Sequence, residues 1–259
     1  LKGNNFGRFP PQLLTLHQLS ILNLRRCSIT EVPEEINSLL YLEELNLAEN
    51  ALVRLPGTVK DLRRLRKLAL YRNRVRVPPR VLANVTKCKS IVLAHNNLTS
   101  LFVCDEGSGG EGERKCSSWD GAGPVGLGRV STLDLTANDL VSLGGSLPGS
   151  PCRCEEEAFS RLVKLQLLTA SDNRIAHLGS GFGSHLAQLH TIDLANNEIR
   201  QLPVSFGELP ALRVLDLSSN FLTCDANFRT VMGKIGRQLM ELNLGCNLLK
   251  EIPAEFATM

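Results

Sequence analysis

The sequence predicts an α/β solenoid, a coil in which every turn adds one short strand to a parallel sheet, and three observations predict it. An eleven-residue pattern recurs along nearly all of the 259 residues: "LSILNLRRCSI" from Leu19, "LEELNLAENAL" from Leu42, "LRKLALYRNRV" from Leu65, "CKSIVLAHNNL" from Cys88, "VSTLDLTANDL" from Val130, "LQLLTASDNRI" from Leu165, "LHTIDLANNEI" from Leu189, "LRVLDLSSNFL" from Leu212 and "LMELNLGCNLL" from Leu239. Within each copy the equivalents of Leu45 and Leu47 alternate with those of Glu44, Asn46 and Ala48, the period that a strand with one buried face demands. An asparagine column accompanies the leucines at Asn4, Asn50, Asn73, Asn96, Asn138, Asn173, Asn197, Asn220 and Asn247, with Cys27 standing in once.

Each element follows from these patterns. A lone strand cannot bury its apolar side, so successive strands must stack at about 4.8 Å, which gives roughly 45 Å of curved sheet. Leucine is abundant and rings are few, so branched aliphatics fill the interior of the coil. A buried side-chain amide needs partners for two donors and an acceptor, and the turning backbones of its own and neighbouring coils can supply them. The column is therefore expected to be interior.

These residues closely resemble the leucine-rich repeat family, whose signature is L-x-x-L-x-L-x-x-N/C-x-L. Nine copies are complete, and a partial tenth opens the chain with Leu1, Asn4, Phe6 and Phe9. Six copies continue into an apolar residue and proline, as at Val32-Pro33, Leu55-Pro56 and Leu202-Pro203. This is similar to the intracellular 23-residue class found in Ras-pathway scaffolds and polarity proteins. The resemblance implies a horseshoe with a parallel β-sheet on its concave face and short helices, 3-10 turns or loops on its convex face, forming a single domain over residues 1–259.

Composition narrows the function classes. A formal charge of +3 is small for this length, so nucleic acid is not expected as a partner. No apolar run is long enough for a membrane span, and the N-terminus does not read as a signal peptide. Eight cysteines in a chain able to build a large core point to a reducing compartment and a cytoplasmic location. The sequons at Asn84 and Asn97 arise readily by chance in a chain rich in Asn, Ser and Thr.

The column spacing is 23 residues up to Asn96, then widens to 42 before Asn138 and 35 before Asn173. Both additions enter where the chain leaves for the convex side, so 102–121 and 144–155 are expected as loops on one edge. The first contains Gly107, Gly109 and Gly112 in a G-x-G-x-x-G spacing, but no βαβ unit surrounds it, so a dinucleotide site is not expected. Cys104, Cys116, Cys152 and Cys154 lie in these two loops; zinc or a disulfide is possible for them, although the spacing is not that of the usual knuckles and free thiols are the simpler reading. Cys27 and Cys88 occupy interior places and should be buried and inert.

No cofactor and no enzymatic site is expected. The five histidines fall in different repeats and form none of the linear metal or nucleophile motifs. What remains is the solvent face of the sheet. Its first half displays Arg25, Arg26, Lys67, Tyr71, Arg72 and His95 beside Glu44 and Glu49, and its later half displays Asp134, Asp172, Asp193, Asp216 and Glu241. Arginine with a nearby tyrosine suits the centre of an interface, which makes an acidic protein segment the natural contact. The residues expected to bind a partner are Arg25, Arg26, Glu44, Lys67, Tyr71, Arg72, His95, Asp193 and Asp216.

Three repeats depart from the pattern by lacking the proline after Leu101, Leu143 and Leu178, and Asp225 stands where an apolar residue is expected, so these coils should fit the regular curvature poorly. Neither end carries a recognisable polar cap, so the sequence is expected to be part of a longer protein. The functional expectation is a non-catalytic scaffold that binds a protein, whose identity the sequence does not give, on its concave face. The alternatives are a targeting or regulatory arm of a larger signalling enzyme and an extracellular recognition ectodomain. No small-molecule substrate is implied.

Overall fold

The computed structural model describes residues 1–76, 86–100, 125–144, 159–254 and 256. The expected loops 102–121 and 144–155 (apart from Gly144), the glycine motif, Asn84, Leu101 and the four loop cysteines lie outside them.

Nine strands form one parallel sheet among the described residues: β1 (Ile21–Asn23), β2 (Glu44–Asn46), β3 (Lys67–Ala69), β4 (Ser90–Val92), β5 (Thr132–Asp134), β7 (Leu167–Thr169), β9 (Thr191–Asp193), β10 (Val214–Asp216) and β11 (Glu241–Asn243). The register never slips. Leu22, Leu45, Leu68, Ile91, Leu133, Leu168, Ile192, Leu215 and Leu242 face one another in series, and all but Leu242 are buried. A one-residue slip would turn this leucine row outward, so burial alone enforces the alignment. The fold is the leucine-rich repeat horseshoe.

The convex side is made of short 3-10 turns at Pro11–Thr15, Glu34–Ser38, Gly57–Asp61, Val125–Arg129 and Val204–Glu208. Four of them follow Pro10, Pro33, Pro56 and Pro203, whose φ lies between -66° and -71°. The ring fixes the angle that starts the turn and removes an N–H that the convex side could not pair.

Between strand and turn the asparagine column locks the coils together. Asn96 donates from Nδ2 to Leu70 O in the preceding coil and to Leu93 O in its own, both at 2.9 Å, while its Oδ1 accepts from Val75 N at 3.0 Å. Asn73, Asn138, Asn173, Asn197 and Asn220 repeat this arrangement and are buried. Asn50 and Asn247 make the same bonds but are only half-buried. Cys27 reproduces only the donor half, with its Sγ against Leu1 O and Arg25 O.

Two expectations about these positions are corrected. Asn4 is exposed and its Nδ2 reaches Leu1 O at 2.7 Å and no carbonyl of a neighbouring coil among the described residues, because its incomplete repeat forms no strand of the sheet. Ala48 does not face solvent: it is 4% exposed, since it follows the strand where the chain already turns inward and its methyl group is small enough to be covered. The thiols behave as expected. Cys27 and Cys88 are fully buried, and burial pushes the Cys88 thiol up to about 12.

The irregular coils are rebuilt rather than merely loosened. Where proline is missing after Leu143 and Leu178, β6 (Ser142–Leu143) and β8 (His177–Leu178) pair as a second small parallel sheet. Gly179 N donates to Leu143 O at 3.0 Å, a bond that a proline at 179 would abolish. Gly144 follows with φ +68°, and a Cβ there would lie 2.9 Å from Phe182 and 3.2 Å from Phe159. Phe159, Phe182 and Phe206 continue this contact with ring centroids 5.6 and 5.7 Å apart. Asp225 is likewise not a misfit. It caps α1 (Ala226–Ile235) by accepting from Phe228 N at 2.7 Å, and the helix buries Phe228, Val231, Met232 and Ile235.

Replacing Asn96 by alanine strands two carbonyls and one amide in the interior and should cost about 3 kcal/mol in chemical denaturation. Asn4→Ala should stay within about 0.5 kcal/mol. Equal losses at the two sites would mean that the column is not an interior brace.

Candidate protein-binding face

On the concave side the parallel sheet holds equivalent side chains side by side. The first-half residues do gather there, but not as free positive charges. Arg25 Nε donates to Glu49 Oε1 at 2.8 Å, and Arg26 Nε lies 3.3 Å from Glu49 Oε2. The hydrogen bond from Arg25 holds the Glu49 carboxyl below its ordinary range. Lys67 Nζ donates to Glu44 Oε1 at 2.7 Å. Four of the expected partner-binding residues are therefore already engaged in ion pairs, Arg25 and Arg26 with Glu49 and Lys67 with Glu44.

Arg72, Tyr71 and His95 form a different group. The Arg72 guanidinium lies 5.1 Å from the centre of the Tyr71 ring, and the His95 ring meets Tyr71 edge-on at 5.1 Å. Arg72 and His95 are exposed and Arg72 has no ion-pair partner among the described residues. Both stand at the position preceding the column asparagine, where every complete repeat places a residue with φ between 51° and 58°. Arg26, Glu49, Arg72, His95, Ala137, Asp172, Asn196, Ser219 and Cys246 share this left-handed backbone, directly after the strand exit.

Around Tyr71 the floor is small and apolar, with the half-buried Ala69 of its own coil paired in register with Val92 of the next. Two backbone donors sharpen this patch. In coils with Asn or Asp at the end of the strand, that side chain accepts the N–H two residues on: Asn23 from Arg25, Asn46 from Ala48, Asp134 from Thr136, Asp193 from Ala195, Asp216 from Ser218 and Asn243 from Gly245. Ala69 and Val92 cannot do this, so the N–H groups of Tyr71 and Ala94 have no acceptor among the described residues.

The same bonds change the meaning of the acidic half. Asp193 accepts from Ala195 N at 3.0 Å, and Asp216 accepts from Ser218 N, Ser218 Oγ and Asn243 Nδ2. Asp134 holds Thr169 Oγ1 at 2.9 Å, and Asp172 accepts from Asn196 Nδ2 at 2.9 Å. These carboxylates tie strand ends and adjacent coils together. Burial pushes the Asp216 carboxyl up, but the bonds from Ser218 and Asn243 outweigh it and leave the group below its ordinary range. Sequence reasoning missed this strand-end role, although the recurrence of Asn and Asp at one place was its signal.

Comparison with known proteins agrees with the fold: the family and sequence matches cover parts of the chain, and the structural likeness covers nearly all of it. The Leucine rich repeat family matches residues 17–75 and 163–222. Leucine-rich repeat serine/threonine-protein kinase 1 of Mus musculus is 31% identical over 132 residues, 49% of this chain and 6% of the kinase. U2 small nuclear ribonucleoprotein A' of Arabidopsis thaliana is 31% identical over 103 residues, 39% of this chain and 36% of that protein. Among solved structures, the plant peptide hormone receptor RGFR1 in complex with RGF2 superposes with a TM-score of 0.66 at 22% identity, covering 96% of this chain and 36% of the receptor chain. Leucine-rich repeats are thus present, and the chain spans only a minor part of the length of each of these relatives.

Asp216 gives this face a pH signature. Because its folded pKa is depressed, its contribution is present above the unfolded pKa and is lost as the pH falls through the folded value. Asp216→Asn should therefore be less stable than the parent at neutral pH, and the difference should shrink on acidification. Denaturation curves collected across the acidic range measure this, and a pH-independent difference would remove the carboxylate from the account.

Proposed function

We propose that this leucine-rich repeat solenoid is a non-catalytic scaffold that binds a partner protein across the concave surface of its third and fourth complete coils. The observation that carries the reading is the grouping of Arg72, Tyr71 and His95 over an apolar floor, with the Tyr71 and Ala94 N–H groups beside them. Exposed arginine and aromatic side chains on rigid strands lose little freedom on docking, and an apolar centre with a charged rim is the usual build of an interface. A partner segment with a carboxylate for Arg72 and an apolar side chain against Tyr71 suits it. The ion-paired Arg25, Arg26, Glu44 and Lys67 would frame this contact, and Asp193 and Asp216 would contribute less because their oxygens already brace the sheet.

The similarity to the mouse kinase supports a second reading, in which the solenoid is a targeting or regulatory arm of a larger signalling enzyme. A catalytic domain in the same full-length polypeptide would decide for it. We place the protein in the cytoplasm, a reading supported by Cys27, Cys88, Cys224 and Cys246 all being free thiols. The 23-residue intracellular class remains part of this proposal, and glycans on the native protein at Asn84 or Asn97 would favour an extracellular recognition domain instead.

Crosslinking and mass spectrometry in native lysate should place partner contacts on Lys67 and its neighbours. With the partner in hand, Tyr71→Ala and Arg72→Ala should each weaken binding roughly thirtyfold, the size expected at an interface centre, and Asp193→Ala should change it by less than about threefold. Partner crosslinks confined to other surfaces, with binding unchanged in both variants, would refute the concave site.

A further inference from the structure

A second charged surface lies away from the concave face, on the edge where the chain returns from the convex side to begin each strand. Each coil crosses this edge through the two residues that precede the first apolar residue of the repeat. In the first seven complete repeats these pairs are His17-Gln18, Leu40-Tyr41, Arg63-Arg64, Thr86-Lys87, Gly128-Arg129, Val163-Lys164 and Ala187-Gln188, all exposed except the half-buried Gly128. The unbroken strand register sets the tips side by side, as Lys89 N bonding Arg66 O and Ser131 N bonding Lys89 O show for the residues just inside the edge. Four consecutive coils thus present Arg63, Arg64, Lys87, Arg129 and Lys164, with Arg66, Lys67 and Lys89 immediately behind them.

The acids near this edge offset only part of that charge. Among the described residues Glu43 pairs with Arg66 at 3.4 Å and Glu44 with Lys67 at 2.7 Å, and Asp61 precedes Arg63 in the same coil. Arg63, Lys87, Lys89, Arg129 and Lys164 meet no carboxylate among the described residues. For a chain of net charge +3, the described residues of this one edge carry more positive charge than the whole molecule does. The expectation that nucleic acid is not a partner rests on the total charge of +3, which says nothing of how that charge is distributed.

Three further features select the kind of surface that fits. The same tips expose Leu40 (60%), Val163 (45%) and Tyr41 (39%) among the basic residues. The charges lie on a row of turn tips just ahead of the strands, outside the sheet itself. One face of the Tyr41 ring is covered by the Arg64 guanidinium, 4.3 Å from its centre, which places a cation and an aromatic ring together at the tip. Basic side chains interspersed with a tyrosine and aliphatics on one edge match the interface of an anionic lipid bilayer, where cations meet headgroups and apolar tips enter the acyl boundary.

We propose that this edge, centred on Arg64, Lys87, Arg129 and Lys164 with Leu40, Tyr41 and Val163, docks the protein peripherally on an anionic membrane surface and leaves the concave face open to its partner. The proposal does not depend on the concave-face reading. Co-sedimentation of the full-length protein with phosphatidylcholine vesicles, with and without phosphatidylserine, tests it. Binding should require phosphatidylserine and fall as salt is raised. Joint reversal of Arg64, Lys87, Arg129 and Lys164 to glutamate should weaken it roughly a hundredfold.

The same reversal at Arg54 and Arg200, exposed residues outside this edge, should leave binding within about twofold. Leu40→Ser with Tyr41→Ser should weaken it several-fold without altering any charge. Circular dichroism of each variant confirms the fold, which these exposed positions should not disturb. Binding that ignores phosphatidylserine, that falls equally for both sets of reversals, or that is indifferent to the Leu40 and Tyr41 changes overturns the proposal. So does capture of polyglutamate or single-stranded RNA through Arg64 and Lys87 by a protein that does not bind the vesicles.

Discussion

Everything in this molecule depends on one buried amide per coil. Each winding must bend sharply as it leaves the sheet, and the bend forces the residue before the asparagine into a left-handed backbone at a cost of about 1–2 kcal/mol for a side chain that is not glycine. The bend also leaves carbonyls of two coils and an amide of one pointing inward with no water to satisfy them. The asparagine answers all of these at once, since two donors and one acceptor on a single rigid group reach both coils. Neither aspartate nor serine carries that combination, which is why the column tolerates little variation. Cys27 is instructive because it keeps the donor contacts and gives up the acceptor, at the first complete coil.

Strand position, register, leucine row and asparagine column were legible because each is dictated by a repeated local need. The chemistry that differs from coil to coil was legible only in part. Arg25 and Lys67 look like cations available to a partner when read along the chain. Their carboxylates, Glu49 and Glu44, lie one coil away, so the pairing appears only once the coils are stacked. Asp193 and Asp216 look like an acidic stripe, yet both accept the amide two residues on and so belong partly to the backbone. The helix after Asp225 carried a readable signal in its cap and its spacing of Phe228, Val231, Met232 and Ile235, but it was masked by the expectation of another identical coil.

The missing prolines teach the converse. A proline at the start of the convex turn fixes φ and removes a donor, and a coil without it has that donor to place. At Leu143 and Leu178 the solution is a second ladder, closed by Gly179 N on Leu143 O, with Gly144 free of a Cβ where Phe159 and Phe182 close in. Departure from the repeat is therefore a change of bonding pattern with its own satisfied partners.

A solenoid that fixes its interior so strictly leaves two kinds of position free to vary, and they face different directions. Positions on the concave face are set on strands and on the left-handed residue, so their geometry is rigid and suits a shaped protein surface. The two-residue tips at the edge lie on turns, outside the sheet's hydrogen bonds, and suit a surface that asks for charge and apolar content but little shape. The third complete coil illustrates both at once: Tyr71 and Arg72 stand on its strand exit and Arg63 and Arg64 on its strand approach, separated by the length of one short strand. Because the buried residues Leu65, Leu68 and Leu70 lie between them, substitutions at one site need not move the other, and each contact can be tested in a protein that retains the second.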